Sequence, residues 1–137
     1  MTVHRTRRRG AASVEFAIVS STVLLLLIGL IVGALGVFRY QAVARLAREG
    51  ARYAAVHGTY YSQTTGRPAA TATDVYQNAI LPAAVALTPA RLSADVTWSP
   101  DNRPGGKVTV TVRYQWVSEA YFGTMTLSST ATMPVTY

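Results

Sequence analysis

The most prominent pattern in this chain is an apolar run that begins at Phe16 and continues to Phe38. No charged residue lies between Glu15 and Arg39. At a rise of about 1.5 Å per residue, a helix over this run is about 34 Å long, which is enough to cross a hydrocarbon core of about 30 Å. A helix also satisfies its own backbone hydrogen bonds, as lipid requires. The pattern therefore predicts a transmembrane helix over residues 11–38.

The helical pattern continues beyond this run as an amphipathic extension over residues 39–57. Its apolar positions recur at helical spacing and form one narrow stripe, made of Val43, Leu46, Ala47, Gly50, Ala51 and Ala54. Gly58 suits the left-handed position that ends many helices. These features predict a single helix from Ala11 to His57.

The polar side of this extension carries a charged block, made of Arg45, Arg48, Glu49 and Arg52. Glu49 is spaced to pair with Arg45 or Arg52 along the helix. No catalytic arrangement explains the block. We expect it to be a helix surface that contacts either its own domain or an assembly partner.

Residues 58–137 predict a small α+β head domain. Turn formers dominate residues 58–70, which predicts a loop. A short helix then begins with a cap at Thr73 or Asp74 and continues to about Leu87, with Pro82 expected to kink or shorten it. Three alternating apolar segments follow around residues 92–98, 108–116 and 125–135. They predict an antiparallel sheet of about three strands, covered on its apolar face by the helices.

Three glycines of the apolar run, Gly29, Gly33 and Gly36, share one helical face. Small residues at this spacing let a second helix approach closely. Glycine is also commoner in membrane helices than in soluble ones, which explains the stripe equally well. Helix packing at these three glycines is therefore one of two interpretations.

Charge and composition narrow the function class. The chain has 13 basic and six acidic residues, which gives a net charge of +7. Four of the basic residues are arginines within the first ten residues, and the other nine are partly balanced by the six acidic ones. This distribution is typical of a cytoplasmic membrane anchor and argues against nucleic-acid binding. The chain has no cysteine and two distant histidines, His4 and His57, and its acidic residues are scattered. We expect no enzyme, no catalytic residues, no metal site and no cofactor.

The start of the chain carries a recognisable motif. A basic tail ends at Gly10, and Ala11, Glu15 and Phe16 follow before the apolar run. This arrangement resembles the processing signal of type IV pilins, especially the type IVb group. The block from Ala47 to Ala54 and the closing strand from Met125 to Tyr137 are similar to those of TadE-like minor pseudopilins of tight-adherence pili.

The resemblance implies a pilin-like fold and a processed chain. Residues 1–10 would be a leader removed by a prepilin peptidase at the Gly10–Ala11 bond. Glu15 would be the fifth residue of the mature chain and would neutralise the α-amine of an adjacent subunit's Ala11, with Phe16 at the family's aromatic position. The implied partners are the peptidase, other pilin and pseudopilin subunits, the inner-membrane assembly platform and the lipid bilayer.

The same resemblance implies a single-pass protein of the cytoplasmic membrane, with its N-terminus inside and its head outside. It also implies that the protein can be incorporated into the pilus. Two alternatives remain. One is a secreted domain whose signal peptide ends at Ala34-Leu35-Gly36, although signal peptides usually have apolar regions of about 7 to 15 residues. The other is an uncleaved membrane anchor that carries a binding domain.

Overall fold

The computed structural model describes residues 7–85, 87–118 and 123–136, with side chains from Gly10 onward. It contains one long N-terminal helix, short helical segments and a three-stranded antiparallel sheet, so the predicted α+β class is confirmed. The first six residues of the predicted leader, and Tyr137 at the end of the closing strand, lie outside the described residues. The chain divides into two compact units, Met1–Leu35 and Gly36–Tyr137.

Helix α1 spans Arg7–Val56. It begins before the predicted start at Ala11 and ends just before His57. Every residue from Gly10 to Ile31 is exposed. Among the described residues, α1 is the one helix that is long and apolar enough to cross a membrane, and none of its most apolar stretch is buried. An exposed apolar surface of this length requires lipid or partner helices around it.

The sheet of the second unit has the strand order β1–β2–β3, with β1 at Leu92–Ser99, β2 at Lys107–Val117 and β3 at Thr124–Pro134. On the central strand, one face is fully buried and consists of Val108, Val110, Val112, Tyr114 and Trp116. The opposite face carries threonine pairs between β2 and β3. The Thr109 and Thr132 hydroxyl oxygens are 3.0 Å apart, and those of Thr111 and Thr130 are 2.9 Å apart. The alternation of residues along the strand therefore places apolar side chains on the buried face and polar side chains on the opposite face, as predicted.

The predicted apolar stripe of α1 covers the buried face of this sheet. All six of its residues are buried, as expected. At its centre the backbone approaches its neighbours so closely that a Cβ on Gly50 would lie 3.1 Å from Ile80 and 3.2 Å from Val110. Gly50 is thus the point where α1, the later helical segment and the central strand meet.

The predicted loop over residues 58–70 is wrong in its first half, where helix α2 spans Thr59–Thr65. Gly58 precedes it with φ −79°, so Gly58 is extended and not left-handed, whereas Gly66 ends α2 with φ +70°. The helix is fixed at its start because the Thr59 backbone N–H and hydroxyl both donate to the Asn102 carbonyl, at 2.9 and 2.7 Å. This contact with a distant turn outweighs the weak helix propensity of the segment.

The second predicted helix is broken into three pieces. It comprises helix α3 at Ala72–Val75, a π turn at Tyr76–Ile80 and helix α4 at Leu81–Ala83, and it ends before the predicted Leu87. In the π turn the Leu81 N–H donates to the Tyr76 carbonyl. Pro82 follows at once, and its ring prevents an ordinary α-helical turn around it. The shortening expected from Pro82 therefore occurs, with a widened turn ahead of it.

The cap of α3 is Thr71, and neither Thr73 nor Asp74 is the cap as predicted. The Asp74 N–H donates to the Thr71 hydroxyl at 3.2 Å. The Asp74 carboxylate in turn accepts from the Thr71 hydroxyl at 2.7 Å and from the Thr71 N–H at 2.9 Å. The two residues form a capping box, in which Asp74 is the third helical residue.

This capping box makes the stability of the head depend on pH. The hydroxyl of Thr71, and then its backbone N–H, hold the pKa of Asp74 below its usual value. The stabilisation is therefore present above the pKa that Asp74 has in the unfolded chain, about 4, and is lost as the pH falls through the lower pKa of the folded state. We expect Asp74→Ala to lower the melting temperature at pH 7 and to have a smaller effect at pH 2–3. Thermal unfolding across this pH range tests it, with Asp95→Ala as the control. An effect of Asp74→Ala that is the same at all pH values would contradict the prediction.

Candidate functional site

The proposed processing bond, Gly10–Ala11, lies in the early turns of α1. Both residues are helical and exposed. A Cβ on Gly10 would meet no atom within 4 Å among the described residues. Helix ends open at low free-energy cost, and glycine weakens a helix by about 1 kcal/mol relative to alanine. The bond is therefore accessible, and its backbone can become extended without disturbing the head.

Glu15 and Phe16 lie on the exposed surface of the same helix, and the Phe16 side chain is 74% exposed. In the described part of the chain, Glu15 has no ion-pair partner. A carboxylate next to an apolar run of membrane length is costly unless a positive group compensates it. No side chain in the described part of the chain supplies such a group.

Three polar residues inside the apolar run donate hydrogen bonds from their hydroxyl groups to backbone carbonyls of the preceding turn. The Ser20 hydroxyl donates to the Ala17 carbonyl at 3.1 Å. The Ser21 and Thr22 hydroxyls both donate to the Ile18 carbonyl, at 2.8 and 3.0 Å. These bonds to the preceding turn let hydroxyl groups enter lipid without an unpaired donor. The three residues were not among those singled out from the sequence, although their position in the run is a visible signal.

The three glycines of the predicted stripe have different surroundings. Gly29 and Gly33 are exposed, and a Cβ on either would meet nothing within 4 Å among the described residues. A Cβ on Gly36 would lie 3.0 Å from the ring of Trp116. Gly36 therefore accommodates a side chain of its own head domain. Packing of another helix at Gly29 and Gly33 remains a prediction.

All four residues of the charged block are exposed. Within the described residues, Glu49 forms no ion pair with Arg45 or Arg52, although the spacing allows one. The block lies beside the buried stripe and lines the space between α1 and the segment from Asn78 to Val85. The structure therefore leaves these side chains free to contact another molecule, and brings them next to a second helical segment of the head.

An aromatic stack that was not predicted from the sequence lies at the C-terminal end of α1. The rings of Tyr53 and His57 are stacked with centroids 4.0 Å apart, and the Tyr61 ring lies 4.6 Å from His57. His57 Nδ1 is also 2.9 Å from the Tyr53 carbonyl oxygen. The spacing of four residues was the available signal. The stack joins α1 to α2 across the break at Gly58.

In the described part of the chain, no three histidine or acidic side chains lie close enough together to hold a metal ion. The candidate functional features predicted from the sequence lie on α1. They are the Gly10–Ala11 bond, Glu15 and Phe16, the exposed apolar surface and the charged block.

Comparison with known proteins bears on the same helix. Residues 10–52 match the family model described as TadE-like protein. The match begins at the glycine of the processing motif and ends at the last arginine of the charged block. The chain matches no curated protein and no solved structure. The resemblance drawn from the sequence is thus confirmed over residues 10–52, and this chain carries a TadE-like N-terminal segment.

Proposed function

We propose that this chain is a minor pilin or pseudopilin of a tight-adherence type IVb pilus, held in the membrane by α1 and processed by a prepilin peptidase. The TadE-like segment associates the chain with tight-adherence pili. The observation that carries the finer proposal is the exposed apolar surface of α1, which is preceded by Gly10–Ala11 and by Glu15, a residue that has no ion-pair partner among the described side chains. A soluble binding domain would not require an exposed apolar helix of membrane length together with this motif.

Cleavage at Gly10–Ala11 changes the charge at the membrane. It removes the arginines of the leader, which hold the chain at the cytoplasmic face. It also creates an α-amine at Ala11, four residues or about 6 Å along the helix from Glu15. A subunit that moves lengthwise into a filament can then place its Glu15 beside the Ala11 amine of a neighbour. This pairing compensates both charges in an apolar environment.

The proposed topology has the N-terminus in the cytoplasm and the head outside the cytoplasmic membrane. The long apolar helix fits a single-pass anchor. A signal peptide ending at Gly36 fits the head less well, because Gly36 belongs to the same compact unit as the sheet and packs on Trp116. The implied partners are the peptidase, other pilin and pseudopilin subunits and the assembly platform.

The N-terminal sequence of the membrane-extracted protein tests this proposal. Co-expression with a prepilin peptidase should yield chains that begin at Ala11, and omission of the peptidase should leave the leader in place. Gly10→Leu should reduce cleavage at least tenfold, because a large side chain next to the bond both favours the helix and fills the space that the peptidase needs. Gly29→Leu makes the same change far from the bond and should be cleaved normally.

Each other N-terminus has a definite meaning. A chain that begins at Val37 would indicate a signal peptide, and one that begins at Met1 or Thr2 in the presence of active peptidase would indicate a permanent anchor. Either result would contradict the proposed processing.

A further inference from the structure

A groove of about 550 Å³ lies on the head beside the charged block. We call it the membrane-side groove, and its lining includes Phe38, Arg45, Leu46, Arg48, Val85 and Leu87. Leu46 and Leu87 are buried at its floor. At its rim, Val85 is 92% exposed and Phe38 is 56% exposed. An apolar groove with exposed apolar edges favours an occupant that is itself partly apolar.

The charge of this groove has one sign. Arg45 and Arg48 are its charged lining residues, and both are exposed. Within the described residues, neither of them forms an ion pair. The adjoining cavity differs because it contains Glu49 beside Arg52. The membrane-side groove therefore fits a ligand with an anionic group next to an apolar part.

The position of the two arginines matches the depth of lipid headgroups. Phe38 is the last residue of the apolar run, and Arg45 lies about 10 Å further along α1 at a rise of about 1.5 Å per residue. The headgroup region extends about 5 to 8 Å beyond each side of the hydrocarbon core. Helical side chains also point back toward the N-terminus, and long arginine side chains reach toward the interface. The guanidinium group of Arg45 is thus expected at the level of lipid phosphates, and that of Arg48, which lies about 15 Å beyond Phe38, is expected at the outer side of the headgroups.

We propose that the membrane-side groove binds an anionic phospholipid of the surrounding bilayer. The lipid phosphate contacts Arg45, Arg48 adds its positive charge on the outer side of the headgroup, and the first part of an acyl chain lies along Phe38 and Val85. A free phosphate ion would leave these two exposed apolar side chains without a contact. This inference rests on membrane anchoring by α1, which the proposed function shares, and is independent of pilus assembly.

The test uses the purified full chain reconstituted in vesicles of phosphatidylcholine with one fifth phosphatidylglycerol. Lipid retained by the protein after mild extraction is quantified by mass spectrometry. We expect phosphatidylglycerol to be enriched over its bulk fraction. A basic residue near an anionic surface contributes about 1 kcal/mol, which corresponds to about a fivefold effect. Arg45→Gln with Arg48→Gln should therefore lower the relative affinity for phosphatidylglycerol over phosphatidylcholine about 25-fold.

The matched control removes two arginines elsewhere on the head, as Arg52→Gln with Arg67→Gln. It produces the same net charge and should retain the enrichment. Circular dichroism spectra and melting curves of both double variants verify that the heads are folded. Because the vesicles contain no peptidase or pilin, the result does not depend on whether the chain is processed or assembles.

Three results would overturn the proposal. The first is an absence of enrichment in the unaltered chain, and the second is full enrichment when Arg45 and Arg48 are replaced. The third is an equal loss in the control, which would indicate diffuse attraction by net charge. If the Arg45 and Arg48 variant instead loses an acidic protein partner while its lipid retention is unchanged, the groove is a protein-docking surface and the lipid assignment is wrong.

Discussion

Glu15→Ala should nearly abolish incorporation of the chain into pili and leave cleavage at the Gly10–Ala11 bond unchanged. Glu15 is exposed beside an apolar run and has no ion-pair partner in the described part of the chain. Removing one member of a buried charge pair costs about 3–5 kcal/mol, because the other charge stays uncompensated. In the proposed filament that other charge is the Ala11 amine of the neighbouring subunit. The expected loss of incorporation is therefore at least a hundredfold.

The measurement compares the amount of this chain in sheared pili with the amount left in the membrane, together with the N-terminal sequence of both pools. Glu49→Ala serves as the control, since it removes an exposed carboxylate of the head. Glu15→Gln keeps the size of the side chain and should fail as Glu15→Ala does. Normal incorporation of either Glu15 variant would refute the role of Glu15 in subunit registry. Loss of cleavage in both would assign Glu15 to peptidase recognition instead.

Gly50→Val should destabilise the head by about 2–3 kcal/mol. A Cβ at this position already lies 3.1 Å from Ile80 and 3.2 Å from Val110, and valine adds two further methyl groups. Overpacking a core of this kind costs about 1–3 kcal/mol, and the better helix propensity of valine offsets only a small part. For a domain of this size the melting temperature should fall by about 10–20 °C.

Thermal unfolding of the detergent-solubilised chain, followed through the near-ultraviolet signal of the buried Trp116, measures this effect. Gly50→Ala should be much milder, because the flexible Ile80 side chain can yield and alanine favours the helix. Gln41→Val places the same β-branched residue at an exposed position of α1 and controls for helix propensity. Equal melting temperatures for Gly50→Val and Gln41→Val would show that the close approach at Gly50 is not limiting.

The parts of the fold that the sequence predicted are those set by periodicity. The alternating strands and the buried stripe of α1 follow directly from the spacing of apolar residues, and the structure has them at the expected positions. Helix α2 could not be predicted in this way. Its residues are mostly threonine and tyrosine, which favour a helix only weakly, and the helix depends on the bonds from Thr59 to Asn102, which lie far apart in the chain. Tertiary contacts of this kind leave no local pattern.

The candidate site also has a part that the sequence predicts and a part that only the fold reveals. The processing motif and Glu15 are contiguous in the chain, so the amino-acid sequence is sufficient to locate them. The capping residue Thr71 was missed because Thr73 and Asp74 close by have equally suitable side chains, and only the observed hydrogen bonds distinguish them. Two further features could not be located from the sequence, because they exist only in the folded head. They are the contact of Gly36 with Trp116 and the groove that Arg45 and Arg48 both line.

The segment that follows β3 is attached to the end of α1. The Thr136 N–H donates to the Ala55 carbonyl at 3.0 Å, and the Thr136 hydroxyl is 3.3 Å from the same oxygen. Val135 beside it is buried. Because α1 is synthesised before the sheet and before Thr136, its apolar stripe stays exposed until those later residues reach it. The head of this protein therefore completes its folding only after the Thr136 segment has formed its bonds to Ala55.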